Sequence, residues 1–313
     1  MKLINYRKNN QVRPACLDDD QVVDLNYAYQ EMLKAEGKLR FKEIAEAYIP
    51  ADMVGFLQGG DESFSLAKQA VDFAQSNATE MAEQGVIHQR SDVRIEAPVL
   101  NPNKILCVGH NYREHILEMG RELPTHPVAF AKFNNTIIGP EDDIPLFPIT
   151  EKLDYEAEFA IVIGKRAKNV KQDDALDYVA GYTIVNDVTA RDLQRRTIQW
   201  LQGKTVDGSA PMGPWLVTKD EIPDPHVLEI ALQVNGEERQ RSNTKNLVFN
   251  VNRLVEFFSE IMTLEPGDVI CSGTPGGVGF ARDPQVFLQD GDVVKIEIDR
   301  IGTLENTVKA VKA

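Results

Sequence analysis

The chain has 313 residues, a formal net charge of -14, and 42% hydrophobic and 26% charged residues. This composition is ordinary for a folded globular protein and excludes extensive disorder, which needs far fewer apolar residues. The negative charge argues against a nucleic-acid partner and against a membrane partner, because both kinds of contact depend on clustered Lys and Arg.

The cysteines and the N-terminal segment bear on the cellular location. Cys16, Cys107 and Cys271 are widely spaced and form no CxxC pair, so neither a disulfide framework nor a zinc knuckle is indicated. The first ten residues lack the apolar core of a signal peptide, and no apolar run approaches the roughly 20 residues that span a bilayer. We expect a cytoplasmic protein.

The first hundred residues predict a small mixed α/β domain. KLINYR and QVVDLNYA have strand-like patterns, and residues 26–84 have helical spacing rich in Ala, Glu, Gln and Lys. The segment APVLNPNK, with its two prolines, is typical of a linker. We therefore predict an N-terminal domain over residues 1–100 and a catalytic domain over residues 101–313.

The second part of the chain is rich in short strands. The segments KILCVG, EAEFAIVIG, YVAGYTIVND, LEIALQVNG, GDVICSG and GDVVKIEID alternate or run apolar and end in turn residues. Helices are few, and residues 251–262 form the clearest one. This pattern predicts an α+β fold whose mixed sheet closes on itself, not alternating βαβ units.

Two acids stand two residues apart in LDYEAEFAIVIG, where Glu156 and Glu158 lead into an apolar run that predicts a buried strand. Because side chains alternate between the faces of a strand, both carboxylates point the same way. Two like charges at a buried strand end are unfavourable unless a cation joins them, and a hard metal ion fits. The alternative is a pair of solvated acids on an exposed strand.

A third acid, Asp187, ends the strand-like segment YTIVND. Capping a following helix is its alternative role, one that Asp fills well. Taken together, the three acids offer the oxygen ligands that Mg²⁺ or Mn²⁺ prefers, with positions left for substrate and water. Glu156, Glu158 and Asp187 are therefore the predicted metal ligands.

A candidate general base lies in GHNYREHILEMG, where His115 and Glu118 are three residues apart in a segment of helical character. Residues at this spacing share one helix face. An imidazole made more basic by a carboxylate is a general acid/base unit near neutral pH. The alternative is an exposed pair on a surface turn.

Two further segments could contact an anionic substrate. Lys204 lies in the Gly/Pro-punctuated LQGKTVDGSAPMGP, where its ammonium would neutralise a carboxylate or a developing enolate; a solvated surface lysine is the alternative. In GDVICSGTPGGVG a strand runs into a glycine-rich turn whose N–H groups, with the Thr274 hydroxyl, could face an anion. Its glycines do not match G-x-G-x-x-G, so we exclude a dinucleotide-binding loop.

Taken in order, these segments resemble the fumarylacetoacetate hydrolase family, in particular its acylpyruvate hydrolase and oxaloacetate decarboxylase-like members. The three acids are similar to the family's metal triad, and the match covers about residues 104–305. His110 departs from the usual residue before the asparagine and places a second imidazole near the proposed base. The other matching segments are NYREHILE from Asn111 to Glu118, NDVTARDLQ from Asn186 to Gln194, Gly203-Lys204, PMGP from Pro211 to Pro214 and SGTPGGVG from Ser272 to Gly279.

The resemblance implies a β-roll or barrel-like catalytic domain, a homodimer, and Mg²⁺ or Mn²⁺ at the triad. It also implies a small 2-oxo acid as the substrate. Within the match, His115 and Glu118 would form the base that activates water, on a segment that orders when substrate binds. Lys204 would act with them, and the substrate-binding side chains would be Arg191, Gln194, Lys204 and Thr274.

Several reactions share the enolate that such a site stabilises. Metal-dependent hydrolysis of a carbon–carbon bond in an acylpyruvate is our first interpretation, because the His/Glu pair provides a base that decarboxylation does not require. The alternatives are decarboxylation of oxaloacetate and an isomerase or decarboxylase reaction on a 5-carboxymethyl-2-hydroxymuconate type of substrate in aromatic catabolism. A metabolite-binding protein without catalysis is the alternative outside enzymes.

Overall fold

The structure, a computed structural model, describes residues 1–312. Its strands are β1 (Lys2–Lys8), β2 (Gln11–Asp18), β3 (Gln21–Asp24), β4 (Ile87–Gln89), β5 (Arg94–Glu96), β6 (Ile105–Gly109), β7 (Val128–Lys132), β8 (Ile137–Ile138), β9 (Ile144–Leu146), β10 (Leu153–Asp154), β11 (Ala157–Ile163), β12 (Val179–Asn186), β13 (Thr189–Ala190), β14 (Ala210–Thr218), β15 (Glu229–Val234), β16 (Glu237–Asn243), β17 (Val269–Cys271), β18 (Val293–Ile298) and β19 (Gly302–Ala310). Its α-helices are α1 (Leu25–Ala35), α2 (Phe41–Tyr48), α3 (Met53–Gln58), α4 (Gly60–Ser76), α5 (Ala78–Glu83), α6 (Arg113–Glu118), α7 (Arg191–Gln194), α8 (Leu201–Lys204) and α9 (Val251–Ile261).

The N-terminal part combines an antiparallel meander with helices α1–α5. Asp24 ends β3 and caps α1, because its side chain accepts a hydrogen bond from the backbone N–H of Tyr27. Helix α4 buries Ala67, Ala70 and Ala74, whose spacing of three and four residues gives one apolar face. The strand-like and helical patterns of the first hundred residues thus appear as strands and helices.

One large mixed sheet runs through the whole molecule. Its strands follow the order β4-β3-β2-β1-β14-β12-β11-β17-β6-β7, with β5 beside β1 and β8 beside β14. The N-terminal meander joins this sheet directly, since Leu3 of β1 is opposite Leu216 of β14. A second sheet, ordered β16-β15-β18-β19-β9, packs against one face of the first.

Strand β11 lies at the centre of the large sheet and is buried along its entire length. Phe159 and Ile161 face the second sheet and share a core with it. Ala160 and Val162 face the opposite way, into a core shared with the N-terminal helices. This alternation gives a layered arrangement of helices, large sheet and second sheet.

The α+β class predicted from the sequence is confirmed, and the predicted helix over residues 251–262 is α9. The expected closure of the sheet is not found in residues 1–312: the large sheet is open, with β4 and β7 as its edges. Helices cover one face of the sheet and the second sheet covers the other, so both faces are buried without closure. None of the helices in these residues has the length and apolar character needed to cross a membrane.

Candidate active site

Two neighbouring strands bring the three predicted metal ligands together. Strands β11 and β12 are antiparallel with Ala157 opposite Asn186, so the start of one lies beside the end of the other. The backbone N–H of Asp187 donates to the carbonyl of Glu156 over 2.9 Å. Carboxylate oxygens of Glu156, Glu158 and Asp187 lie within 4.8 Å of one another, and all three residues are buried.

Cationic side chains surround two of these acids. The Lys204 ammonium lies 2.6 Å from Glu156 Oε2 and 2.6 Å from Asp187 Oδ2. Arg191 Nη2 lies 2.7 Å from Glu156 Oε1. Burial alone would raise the pKa of Glu156, but Lys204 and Arg191 outweigh it and hold that pKa far below its usual range. Glu156 is therefore ionised.

Glu158 has a different environment. Its Oε2 accepts a hydrogen bond of 2.8 Å from the backbone N–H of Gly273. Within the described residues, no lysine or arginine forms an ion pair with it. Burial, then the nearby Cys271, Asp187 and Glu156, raises the pKa of Glu158 well above its usual range. An added cation would favour the ionised form of this carboxylate.

These residues fit a divalent metal ion. Three buried carboxylates converge on one point, and one of them lacks a cationic partner in residues 1–312. Hard cations such as Mg²⁺ and Mn²⁺ take oxygen ligands of this kind. Glycine at position 273 is required by this geometry, because its φ is +101° and an added Cβ would lie 2.8 Å from the carbonyl oxygen of Val108.

His115 and Glu118 lie on one face of the short helix α6. His115 is buried, and its Nδ1 lies 3.4 Å from Glu118 Oε2. The hydrogen bond to His115, then the backbone N–H of Gly277, lowers the pKa of Glu118 despite partial burial. The ring of His110 stacks on His115 with centroids 6.2 Å apart. The proposed base thus has a carboxylate on one side and a second imidazole on the other.

Arg191 and Gln194 come from α7, and both side chains are held in place. Arg191 Nε donates to Asp154 Oδ2 over 2.8 Å, and its Nη1 donates to Gln194 Oε1 over 3.2 Å. Gly203 packs tightly against α7, since an added Cβ would lie 2.5 Å from a side-chain carbon of Gln194. This close approach positions the adjacent Lys204 beside Glu156 and Asp187.

Most of these groups line one cavity of about 90 Å³. Glu118 and Asp187 lie outside its lining and contact lining residues instead. Aromatic side chains of Phe130, Trp200 and Phe280 complete the wall. The predicted site residues in the lining are His115, Glu156, Glu158, Arg191, Gln194, Lys204 and Thr274.

Three polar residues at the site were not identified from the sequence. The Lys132 ammonium donates to Asp187 Oδ1 over 2.8 Å, and Asp154 accepts hydrogen bonds from Arg191 and from the backbone of Gly279. Gln240 donates to Thr274 Oγ1 over 2.8 Å. The sequence held only a weak indication of two of them: Lys132 and Asp154 each end a short strand, where polar side chains often line a binding site.

Residues 104–309 match the protein family described as "Fumarylacetoacetate (FAA) hydrolase C-terminal". The chain is 41% identical over 314 residues to "Oxaloacetate tautomerase fahd2, mitochondrial" of Xenopus laevis, covering 98% of this chain and 90% of that protein. It is 40% identical over 296 residues to "Oxaloacetate tautomerase YisK" of Bacillus subtilis, covering 93% of this chain and 94% of the relative.

Solved structures agree with these sequence matches. The fold is similar to the fumarylacetoacetate hydrolase of Exiguobacterium antarcticum, with a TM-score of 0.79, 34% identity, and coverage of 99% of this chain and 100% of the other. It is also similar to the maleylpyruvate hydrolase of Sphingobium sp. SYK-6 in complex with manganese (II) ion and pyruvate, with a TM-score of 0.74, 27% identity and full coverage of both chains. On this evidence the chain belongs to the fumarylacetoacetate hydrolase family of enzymes.

Proposed function

We propose that this chain interconverts the keto and enol forms of oxaloacetate, a 2-oxo dicarboxylic acid. The relatives of Xenopus laevis and Bacillus subtilis, 41% and 40% identical, are named oxaloacetate tautomerases. The reaction moves one proton between carbon 3 and the oxygen on carbon 2. It therefore needs a base beside a group that stabilises negative charge on that oxygen.

The observation that carries the proposal is that His115 shares one cavity with Glu156, Glu158 and Lys204. Nδ1 of His115 faces Glu118, which leaves Nε2 as the nitrogen that takes the proton from carbon 3 and returns it to the oxygen on carbon 2. The Lys204 ammonium stabilises the enolate oxygen. Thr274 and Gln194 bind the substrate carboxylate next to this oxygen and so orient the substrate.

Glu156, Glu158 and Asp187 would hold the divalent cation. When bound, it supplies Lewis-acid stabilisation of the charge that develops on the 2-oxo group. Phe130, Trp200 and Phe280 give the cavity an apolar wall, and apolar surroundings strengthen electrostatic interactions. Mg²⁺ and Mn²⁺ both fit the oxygen ligands.

Decarboxylation of oxaloacetate is the second candidate. Here the bond between carbons 3 and 4 breaks, CO₂ leaves, and the enolate of pyruvate takes a proton at carbon 3. Burial of His115 beside Glu118 favours tautomerisation, because a positioned base is essential there and is not needed to release CO₂. Hydrolysis of an acylpyruvate uses the same base on water, and it ranks third because the two relatives named above carry oxaloacetate in their names.

The test compares the wild type with His115→Gln and Glu158→Gln in the presence of Mn²⁺. Ultraviolet absorbance follows the enol of oxaloacetate, and a coupled lactate dehydrogenase assay follows pyruvate. Loss of the base should slow enol–keto exchange by about 100-fold to 10,000-fold. Wild-type exchange no faster than in buffer would refute the proposal, and pyruvate release at the rate of exchange would favour decarboxylation.

The homodimer and the cytoplasmic location are also proposals for this chain. The dimer rests on the family resemblance, and the location rests on the three free cysteines, which fit a reducing compartment. One of the relatives is named as mitochondrial and another is bacterial. Localisation of the full-length protein in its native cell, by microscopy or fractionation, tests the second proposal.

A further inference from the structure

Gln240 links three parts of the candidate active site. It lies on β16 of the second sheet and is 1% exposed. Its Oε1 accepts a hydrogen bond of 3.0 Å from the backbone N–H of Ala157, the residue between Glu156 and Glu158. Its Nε2 donates to Thr274 Oγ1 and to the carbonyl of Pro275, each over 2.8 Å.

The orientation of this amide group follows from its partners. A backbone N–H only donates, so the atom that faces Ala157 must be the carbonyl oxygen Oε1. A backbone carbonyl only accepts, so the atom that faces Pro275 must be the amino group Nε2. Both requirements agree. The reverse orientation would place the amino group against the N–H of Ala157 and the carbonyl oxygen against that of Pro275.

This orientation determines what the Thr274 hydroxyl can do. Its oxygen accepts from Gln240, so its own proton must be donated to a different group. Among residues 1–312 the Thr274 hydroxyl donates to no protein acceptor, and Thr274 lines the cavity. The proton of this hydroxyl is therefore available to an acceptor in the cavity.

We propose that Gln240 is a positioning residue that makes the Thr274 hydroxyl a fixed donor to the carboxylate of a bound 2-oxo acid. This inference rests on the proposed function for the class of ligand. Without the Gln240 amide, the Thr274 oxygen loses the donor that fixes its orientation, so the hydroxyl can turn away from the carboxylate. A hydrogen bond to a carboxylate is stronger than one between neutral groups, so its loss should weaken binding about tenfold or more.

The test measures binding of pyruvate by calorimetry to Mn²⁺-saturated protein, so it does not depend on turnover of oxaloacetate. Gln240→Met, which keeps the length but removes both polar atoms, should raise the dissociation constant of pyruvate about tenfold or more. Thr274→Val should do the same, and Gln240→Met added to Thr274→Val should have little further effect. Gln233→Glu on the neighbouring strand β15 is the control and should bind pyruvate like the wild type.

A second measurement separates positioning of Thr274 from support of the metal ligands. Gln240→Met also removes the acceptor for Ala157, so titration with Mn²⁺ alone reports on Glu156 and Glu158. The inference predicts that Mn²⁺ affinity changes less than threefold, about 0.6 kcal/mol, while pyruvate binding weakens. Equal losses of both affinities, or additive effects of the two substitutions on pyruvate binding, would overturn it. Normal pyruvate results without any oxaloacetate exchange would instead refute the proposed function alone.

Discussion

The buried Lys132 allows a quantitative prediction about the proposed metal site. Its side chain and that of Asp187 are both fully buried, with their charged atoms 2.8 Å apart. Its ammonium also donates to the carbonyl of Lys204 over 2.6 Å and to Ser209 Oγ over 3.1 Å. Lys132→Met keeps the length of the side chain and removes the charge, which leaves Asp187 with less compensation.

The expected loss of stability is large. Removing one partner of a buried ion pair costs about 3–5 kcal/mol when the other charge is left unpaired. Asp187 keeps Lys204 at 2.6 Å, so we expect the lower end of this range. At about 2 °C per kcal/mol for a chain of this length, the melting temperature in EDTA should fall by about 6 °C. Two charges 4 Å apart interact by about 4 kcal/mol at an effective dielectric constant of 20, so a cation at Asp187 can offset most of this loss.

We therefore expect Mn²⁺ to raise the melting temperature of Lys132→Met by several degrees more than that of the wild type. Thermal unfolding with EDTA and with saturating Mn²⁺ measures this difference. Lys104→Met is the matched control, because Lys104 pairs with the buried Asp268 over 2.7 Å away from the three acids. An equal gain in both variants, or a loss below about 1 kcal/mol in EDTA, would refute the reasoning.

Three further predictions concern other parts of the molecule. Asp154→Asn should lower the free energy of unfolding by about 2–4 kcal/mol, because the new amide nitrogen must face one of several N–H donors. Urea unfolding measures this change, and a variant as stable as the wild type would contradict it. Burial, then Arg121 and His115, lowers the pKa of His110 to about 4. Between about pH 6.5 and pH 4, His110 is therefore protonated in the unfolded chain but neutral in the folded chain. Stability should therefore decline from pH 6.5 to pH 4, and this decline should be shallower in His110→Gln; identical urea midpoints at both pH values in wild type would contradict it. Light scattering should give twice the 35.0 kDa chain mass for the proposed homodimer, and a monomer would count against it.

Local patterns predicted those parts of the site that lie within one element. The two-residue spacing of Glu156, just before β11, and Glu158, within it, placed both carboxylates on one side of the extended chain, because side chains alternate there. The three-residue spacing of His115 and Glu118 placed them together on α6. The polar end of β12 indicated Asp187, but only the pairing of β11 with β12 brings it beside the other acids. Their roles as ligands and base stay predictions.

Partners that come from distant elements could not be predicted in this way. Lys132 is 55 residues from Asp187, and Gln240 is 34 residues from Thr274. Neither stands in a motif with its partner, so the contact depends on sheet order and strand register, which local periodicity does not specify. The same limit explains why the expected closure of the sheet was wrong, because strand-rich patterning does not reveal which strands form the edges.

The continuity of the large sheet bears on what happens if the chain is shortened. Removal of residues 1–100 would strip β1 from β14 and expose a row of unpaired backbone groups at the middle of the sheet. It would also uncover the face of β11 that carries Ala160 and Val162. Such a fragment would expose both an unpaired strand edge and an apolar face to other chains, so it should aggregate. Gene fusions should therefore keep this N-terminal segment.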